Sequence, residues 1–182
     1  DLGDAVPAND VTRMTIDFDN LEPVVDLVAA GTLTVNGTRE DNTIRYRQSP
    51  VVNNRGFVTV DNFESIEFAN KTNLVLAGLE GDDSIRVDGE DRIAPVNPNR
   101  KPIALESITV EAGEGNDSIT LANLTDRDTG GVLFAMTVNG GDGEDFIDGS
   151  GVVNPNGLPG LPSPAVLNLN GNDGDGAFLR WS

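Results

Sequence analysis

The chain has 182 residues, with 30 carboxylates against 12 Lys plus Arg, no His and no Cys, giving a formal charge of −18. That balance leaves no basic face for nucleic acid, no His- or Cys-based nucleophile, no ordinary zinc site and no disulfide. No apolar run approaches the ~20 residues that span a bilayer, so no membrane insertion is expected. The length predicts one domain, and a signal peptide is expected to be missing or already removed, since no charged-then-apolar leader opens the chain.

Residues 1–31 carry the alternating Met14-Thr-Ile16-Asp-Phe18 and then Leu21-Glu-Pro-Val-Val25. They read as a lead-in coil or N-terminal cap. From there to residue 182 one motif recurs. Leu33-Thr-Val35-Asn-Gly37 is followed by Leu74-Val-Leu76-Ala-Gly78, Ile108-Thr-Val110-Glu-Ala112, Met136-Thr-Val138-Asn-Gly140 and Leu167-Asn-Leu169-Asn-Gly171. Each opens with the apolar–polar alternation of a half-buried strand. Nine residues after its second apolar position comes another core candidate, pairing Val35 with Ile44, Leu76 with Ile85, Val110 with Ile119, Val138 with Ile147 and Leu169 with Phe178. Between motifs the returns vary in length. Phe57-Val-Thr-Val60 and Ser65-Ile-Glu-Phe68 add strand material to the first, and 152–165 is a Pro/Gly loop that no central strand tolerates.

A constant strand–turn–strand corner with variable returns predicts an all-β fold, a parallel β-helix of about five coils with three short strands per coil. The alternative is an antiparallel β-sandwich in which each motif is a hairpin. Helices fit poorly, because Asp, Asn and Gly make up 60 of the 182 residues and favour tight turns.

The turns fall at 37–42, 78–83, 112–117, 140–145 and 171–176, and any site chemistry is expected there. The fourth, Gly140-Gly141-Asp142-Gly143-Glu144-Asp145-Phe146-Ile147-Asp148, matches the nonapeptide G-G-x-G-x-D-x-U-x throughout, U being a large apolar residue. The third departs only at Ala112 and the second only at Leu79. The pattern resembles the hemolysin-type calcium-binding (RTX) repeat family, over about nine residues in each of three coils. The resemblance implies a parallel β-structure in which Ca²⁺ lies between stacked turns. By position it makes Asp83, Asp117 and Asp145 the ligands, with Gly81, Gly115 and Gly143 supplying tightly turned backbone. Members of that family usually run such nonapeptides in tandem, whereas here one occurs per coil. The first turn carries Glu40 and Asn42 at the consensus Gly and Asp positions, and the fifth has Gly176 where the Asp belongs.

Charge alone points the same way. Coils stacked in register would bring Asp82/Asp83, Asn116/Asp117 and Glu144/Asp145, with Asp142 beside them, into ladders about 5 Å apart. Like charges at 4 Å repel by about 4 kcal/mol at an effective dielectric of 20. Ca²⁺, which takes 6–8 oxygens in a flexible geometry, suits such an edge better than Mg²⁺. Two inter-coil sites are expected, between turns two and three and between turns three and four. The bland reading is that Asp and Asn merely cap solvated turns. Arg45, Arg47, Arg55 and Arg86 read as solvated partners of the acidic edge.

The function expected is an extracellular or cell-surface structural or adhesive module, secreted and of bacterial type. It would be a calcium-stiffened segment of a larger surface protein, fibre or matrix assembly, stacking end to end with itself or with neighbouring repeats. Contact with cell-surface or matrix polysaccharide is a further possibility. The alternative is a carbohydrate-active β-helix enzyme resembling polysaccharide lyases, for which five coils offer a short groove.

Overall fold

The computed structural model describes residues 24–89, 101–124 and 133–150, together with the backbone of 167–170 and 178–180. Alternating apolar and polar residues send one side of each strand inward, and the burial follows: β3 (Thr43–Gln48) hides Ile44, Tyr46 and Gln48 while Thr43 and Arg45 face solvent. The strands before the turns are β2 (Ala30–Asn36), β6 (Lys71–Glu80), β8 (Ser107–Glu114), β10 (Ala135–Asp142) and β12 (Leu167–Asn170). They form one five-stranded sheet in the order β12-β10-β8-β6-β2, parallel throughout.

The strands after the turns are β3, β7 (Ser84–Asp88), β9 (Ser118–Ala122), β11 (Phe146–Asp148) and β13 (Phe178–Arg180), again paired in parallel. This second sheet is mixed. Beyond β3 it continues through β4 (Gly56–Val60), antiparallel to both its neighbours, to β5 (Ile66–Phe68) and then in parallel to β1 (Val24–Asp26). The fold is therefore all-β, as the alternation predicts.

Each turn passes from one sheet to the other, so the strand–turn–strand unit is not the hairpin that the antiparallel sandwich required. Between β7 and β8, and between β9 and β10, the described residues contain no third strand. Among the described residues, return strands occur only in the first repeat, where Phe57–Val60 folds back on β3 instead of forming a third parallel ladder. The reason is local: a short connection through residues 49–55, with Asn54 at φ 65°, reverses the chain immediately after β3.

The register reproduces the sequence alignment. Val35, Leu76, Val110, Val138 and Leu169 lie opposite one another from strand to strand, as do Ile44, Ile85, Ile119 and Ile147. The last repeat departs by one residue, because Ile147 pairs with Leu179 and Phe178 lies opposite Phe146. A one-residue slip exchanges the faces of a strand, so strand pairing replaces the nine-residue count in that repeat. The core lies between the sheets: Leu74, Leu76, Ile108, Val110 and Val138 from one meet Ile44, Ile85, Val87, Ile119 and Ile147 from the other, all essentially inaccessible. Tyr46 packs edge-on against Phe134, with ring centroids 5.9 Å apart, and tilts against Phe68. The predicted cap at 1–31 and the Pro/Gly loop at 152–165 fall mostly outside the described residues.

Candidate metal centre

The turns that join the two sheets stack as tightly as the strands do. Gly81, Gly115 and Gly143, the three glycines expected to turn the backbone, have φ of 108°, 131° and 128°. Gly113 and Gly141 share this left-handed geometry at the second nonapeptide position, and Leu79 adopts it there with φ 91° despite its side chain. A residue with a Cβ is strained in that conformation. Stacking adds a second constraint, since a Cβ on Gly113 would run into the Leu79 carbonyl and one on Gly143 into the Gly115 carbonyl.

Two rows of side-chain-to-backbone hydrogen bonds run along the stacked turns in opposite senses. In the inner row, the amide of Asn42 donates to Asp83 Oδ1 (2.7 Å), that of Asp83 to Asp117 Oδ1 (2.8 Å), and that of Asp117 to Asp145 Oδ1 (3.0 Å). In the outer row, the amide of Asp82 donates to Asp41 Oδ1 (2.8 Å), that of Asn116 to Asp82 Oδ1 (2.7 Å), and that of Glu144 to Asn116 Oδ1 (2.9 Å). Short Asp and Asn side chains suit this role because their oxygens reach just one strand spacing, about 4.8 Å. Asp142 ends β10 exposed, opposite Glu114, which lies opposite Glu80.

The inner row is buried, with Asp83, Asp117 and Asp145 only 1–2% accessible, whereas the outer row is exposed. Each inner carboxylate accepts one backbone amide through Oδ1. The other oxygens, Asp83 Oδ2 and Asp117 Oδ2, are buried without any hydrogen-bond partner among the described residues. An unpartnered buried carboxylate oxygen is costly. Burial pushes the Asp117 carboxyl up to about 6, and neighbouring Asp145, Asp83 and Asp82 add to the rise while the Asp83 amide opposes it. Burial likewise raises Asp83, with the Asn42 amide pulling down and Asp41, Asp61 and Asp82 pushing up.

The first nonapeptide glycine gives the inner carboxylate its room. A Cβ on Gly78 would fill the space where Asp83 Oδ2 and the Ala112 carbonyl oxygen converge, and one on Gly140 would meet Asp145 Oδ2. Carboxylate and carbonyl oxygens facing one point are the donor set a hard cation takes. No three carboxylates gather at one point among the described residues. A cation on this edge would therefore draw on one carboxylate from each of two neighbouring turns plus backbone carbonyls.

Asn42 closes the inner row differently. Its Oδ1 accepts from the Thr38 amide (2.6 Å), and its Nδ2 donates to Asp61 Oδ2 (2.8 Å) and Thr38 Oγ1 (3.1 Å). Asp61 also accepts from the Thr43 amide (2.6 Å). Asp61 comes from the turn after β4 and was not legible as a partner from the repeat. No sequence signal marked it, because only the antiparallel pairing of 56–60 with β3, which alternation does not reveal, places residue 61 beside Thr43. Sequence reasoning also missed Lys71, which is 2% accessible and pairs with Asp26 at 2.9 Å while donating to the Val28 carbonyl. Its position three residues before Leu74 is that of Leu105 before Ile108 and Leu133 before Met136, so the alignment alone marked it as a buried cation among leucines.

The structure thus brings Asp83, Asp117 and Asp145 into one buried row, Asp82, Asn116 and Glu144 into an adjacent exposed row, and the three predicted glycines into the backbone between them. The fifth turn, 171–176, lies outside the described residues. No family model matches the chain, and neither the curated proteins nor the solved structures contain a match.

Proposed function

We propose that this chain is a calcium-binding structural or adhesive module. It is a segment of parallel β-solenoid, related to the hemolysin-type calcium-binding repeats, that works outside the cell in a larger surface or matrix assembly. The observation that carries this reading is the pair of buried, unpartnered oxygens, Asp83 Oδ2 and Asp117 Oδ2, in a stack of like charges one strand apart. At that spacing two carboxylates repel by roughly 3–4 kcal/mol at an effective dielectric of 20. A divalent ion between adjacent turns removes the repulsion and supplies both oxygens with a partner. Calcium fits a donor set of carboxylates and turn carbonyls whose spacing is fixed by the ladder, because it accepts irregular oxygen shells.

The best-formed position lies over Gly78, between turns two and three. The next, between turns three and four, is narrowed by the methyl of Ala112. Extracellular calcium fills sites of 10⁻⁴–10⁻³ M, so the stack would tighten on export. The outer edges of β12 and β13 are where further repeats of an array would pair, whereas the first repeat has its inner row closed by Asn42.

Thermal melting in calcium and in excess EDTA tests the proposal. Ions that bind only the folded state add about 2.7 kcal/mol per site at a hundredfold excess over Kd, about 5–10 °C in melting temperature for a domain of this size. Magnesium is expected to give a much smaller rise. An unchanged melting temperature in EDTA overturns the calcium reading. Incubation with acidic polysaccharides is expected to release no unsaturated ends, and their appearance would favour a lyase.

A further inference from the structure

Four Asn-x-Ser/Thr triplets occur in the chain: Asn36-Gly-Thr38, Asn70-Lys-Thr72, Asn116-Asp-Ser118 and Asn123-Leu-Thr125. The pattern is the acceptor for N-linked glycans in exported proteins, and it implies a surface position where it is used. A chain rich in Asn generates such triplets by chance, so the sequence does not separate them. The four asparagines all lie among the described residues, and their side chains differ in what they already hold.

Glycosylation replaces one hydrogen of Nδ2 with a sugar, which needs open space beyond that atom. Three of the four amides lack it. Asn70 has φ 60° and donates from Nδ2 to the Leu27 carbonyl (2.9 Å), tying together the segments that lead into β2 and β6. Asn123 has φ 52° and donates from Nδ2 to Oδ1 of the buried Asp88 (2.9 Å). Asn116 belongs to the outer row of the stacked turns, where its Oδ1 accepts the Glu144 amide (2.9 Å) and its Nδ2 faces Asp82 Oδ1 (3.3 Å). A sugar on any of these would press on the carbonyl or carboxylate that the amide now touches.

Asn36 is different. It is the last residue of β2, exposed, and on the side opposite the buried Val35. Its side chain has no hydrogen-bond partner among the described residues. Thr32 and Thr34, the outward residues before it, are exposed and uncharged. β2 is also the terminal strand of its sheet, with no strand beyond it among the described residues. Space is therefore open both outward and past the edge. Thr38 is held in the turn by Asn42, whose Oδ1 accepts from its amide and its hydroxyl.

We infer that Asn36 is an N-glycan attachment site, and the one of the four whose modified form this fold accommodates. The inference rests on the proposed location outside the cell, because the glycan donor is met on export. In the transfer, Nδ2 of Asn36 forms a bond to the anomeric carbon of a lipid-pyrophosphate-linked oligosaccharide. The bond from that carbon to the phosphate oxygen breaks, the pyrophosphate leaves on the lipid, and the amide proton passes to a base of the transferase. The glycan then stands beside the outer edge of β2, where a bulky hydrated group hinders pairing with a foreign strand.

Secreting the full chain behind a cleavable leader from a eukaryotic host tests this. Peptide N-glycosidase leaves an aspartate at each asparagine that carried a glycan, so peptide mapping reads the four positions separately. Conversion is expected at Asn36 in the folded, secreted protein and none is expected at Asn70, Asn116 or Asn123. Asn36→Gln is expected to lose the whole mass excess, while Thr38→Ser, which keeps a hydroxyl at the acceptor position, is expected to retain it. Mapping of the unsubstituted chain decides the matter whether or not the variants fold. Folded protein with a bare Asn36 overturns the inference, as does folded protein with a glycan at any of the other three. Melting in calcium and in EDTA is read on the same samples. A calcium shift with a bare Asn36 counts against this site alone, and a glycan at Asn36 without the shift counts against calcium alone.

Discussion

The turn at 37–42 and the turns at 78–83 and 112–117 join the same two sheets, the first without the left-handed residues of the others, yet they solve the same buried position in opposite ways. Asn42 presents an amide whose two polar atoms are both matched, by the Thr38 amide and hydroxyl and by Asp61. Asp83 and Asp117 present carboxylates with one oxygen matched by a neighbouring amide and one matched by nothing among the described residues. The first repeat is complete as a protein structure. The middle repeats are complete only with a proton or a cation. The difference teaches that replacing the consensus Asp at the end of the stack is a closure: Asn is neutral, and the return strand β4 delivers Asp61 to receive its amide.

That comparison can be broken most severely through the left-handed backbone that the middle turns use and the first does not. Gly113→Ala introduces a Cβ at φ 121° that runs into the Leu79 carbonyl. It is expected to cost about 2–5 kcal/mol in urea unfolding, from left-handed strain and overpacking together. Gly31→Ala, with open space around it, serves as the near-neutral control.

Asn42→Asp probes the closure itself. It removes the amide donor and sets a second carboxylate against Asp61, so metal-free stability is expected to fall by about 1–3 kcal/mol. The converse, Asp83→Asn, is expected to abolish most of the calcium-dependent melting shift while leaving the metal-free protein folded. An Asp83→Asn variant that keeps the whole shift would remove Asp83 from the site.

The response to pH separates the two kinds of turn more gently. A carboxyl raised in the folded state, as Asp117 is to about 6, keeps a proton there that the unfolded chain has released. On that account metal-free stability is highest below pH ~4, declines as pH rises to about 6 and levels off above. Melting in EDTA is therefore expected at a higher temperature at pH 5 than at pH 7. The gain from calcium runs the other way and is larger at pH 7, because the ion needs the ionised carboxylates. Asp117→Asn is expected to flatten the metal-free slope. The smallest effect belongs to Leu79→Gly, which restores the consensus at φ 91° and is expected to stabilise by about 1 kcal/mol.

Much of the ladder was legible beforehand because its spacing is written in the repeat. Val35, Leu76, Val110 and Val138 align in sequence and lie opposite one another in the sheet. The candidate site was legible to the same extent, in that the aspartates ending turns two to four do form one row. What failed was any inference that needed chain outside the motif. Phe178 was placed at a core register by counting nine residues, but Leu179 pairs with Ile147. The return 49–68 contained two visible strands, yet alternation is identical for parallel and antiparallel partners, so their direction was invisible. The Lys71–Asp26 pair joins residues 45 apart, one in the motif and one before it, and no local pattern connects them.

The sequence by itself determined an all-β chain, the pitch and register of its middle repeats, and the acidic residues collected at their turns. These follow from alternation and from left-handed glycines, which act within a few residues. Only the tertiary structure decided that the inner aspartates are buried and the outer ones exposed, that Asn42 finds Asp61, and that two carboxylate oxygens are left without a donor. Burial and hydrogen-bond satisfaction depend on what the neighbouring turn and the return strand bring to the same place, and that proximity exists only once the two ladders have stacked.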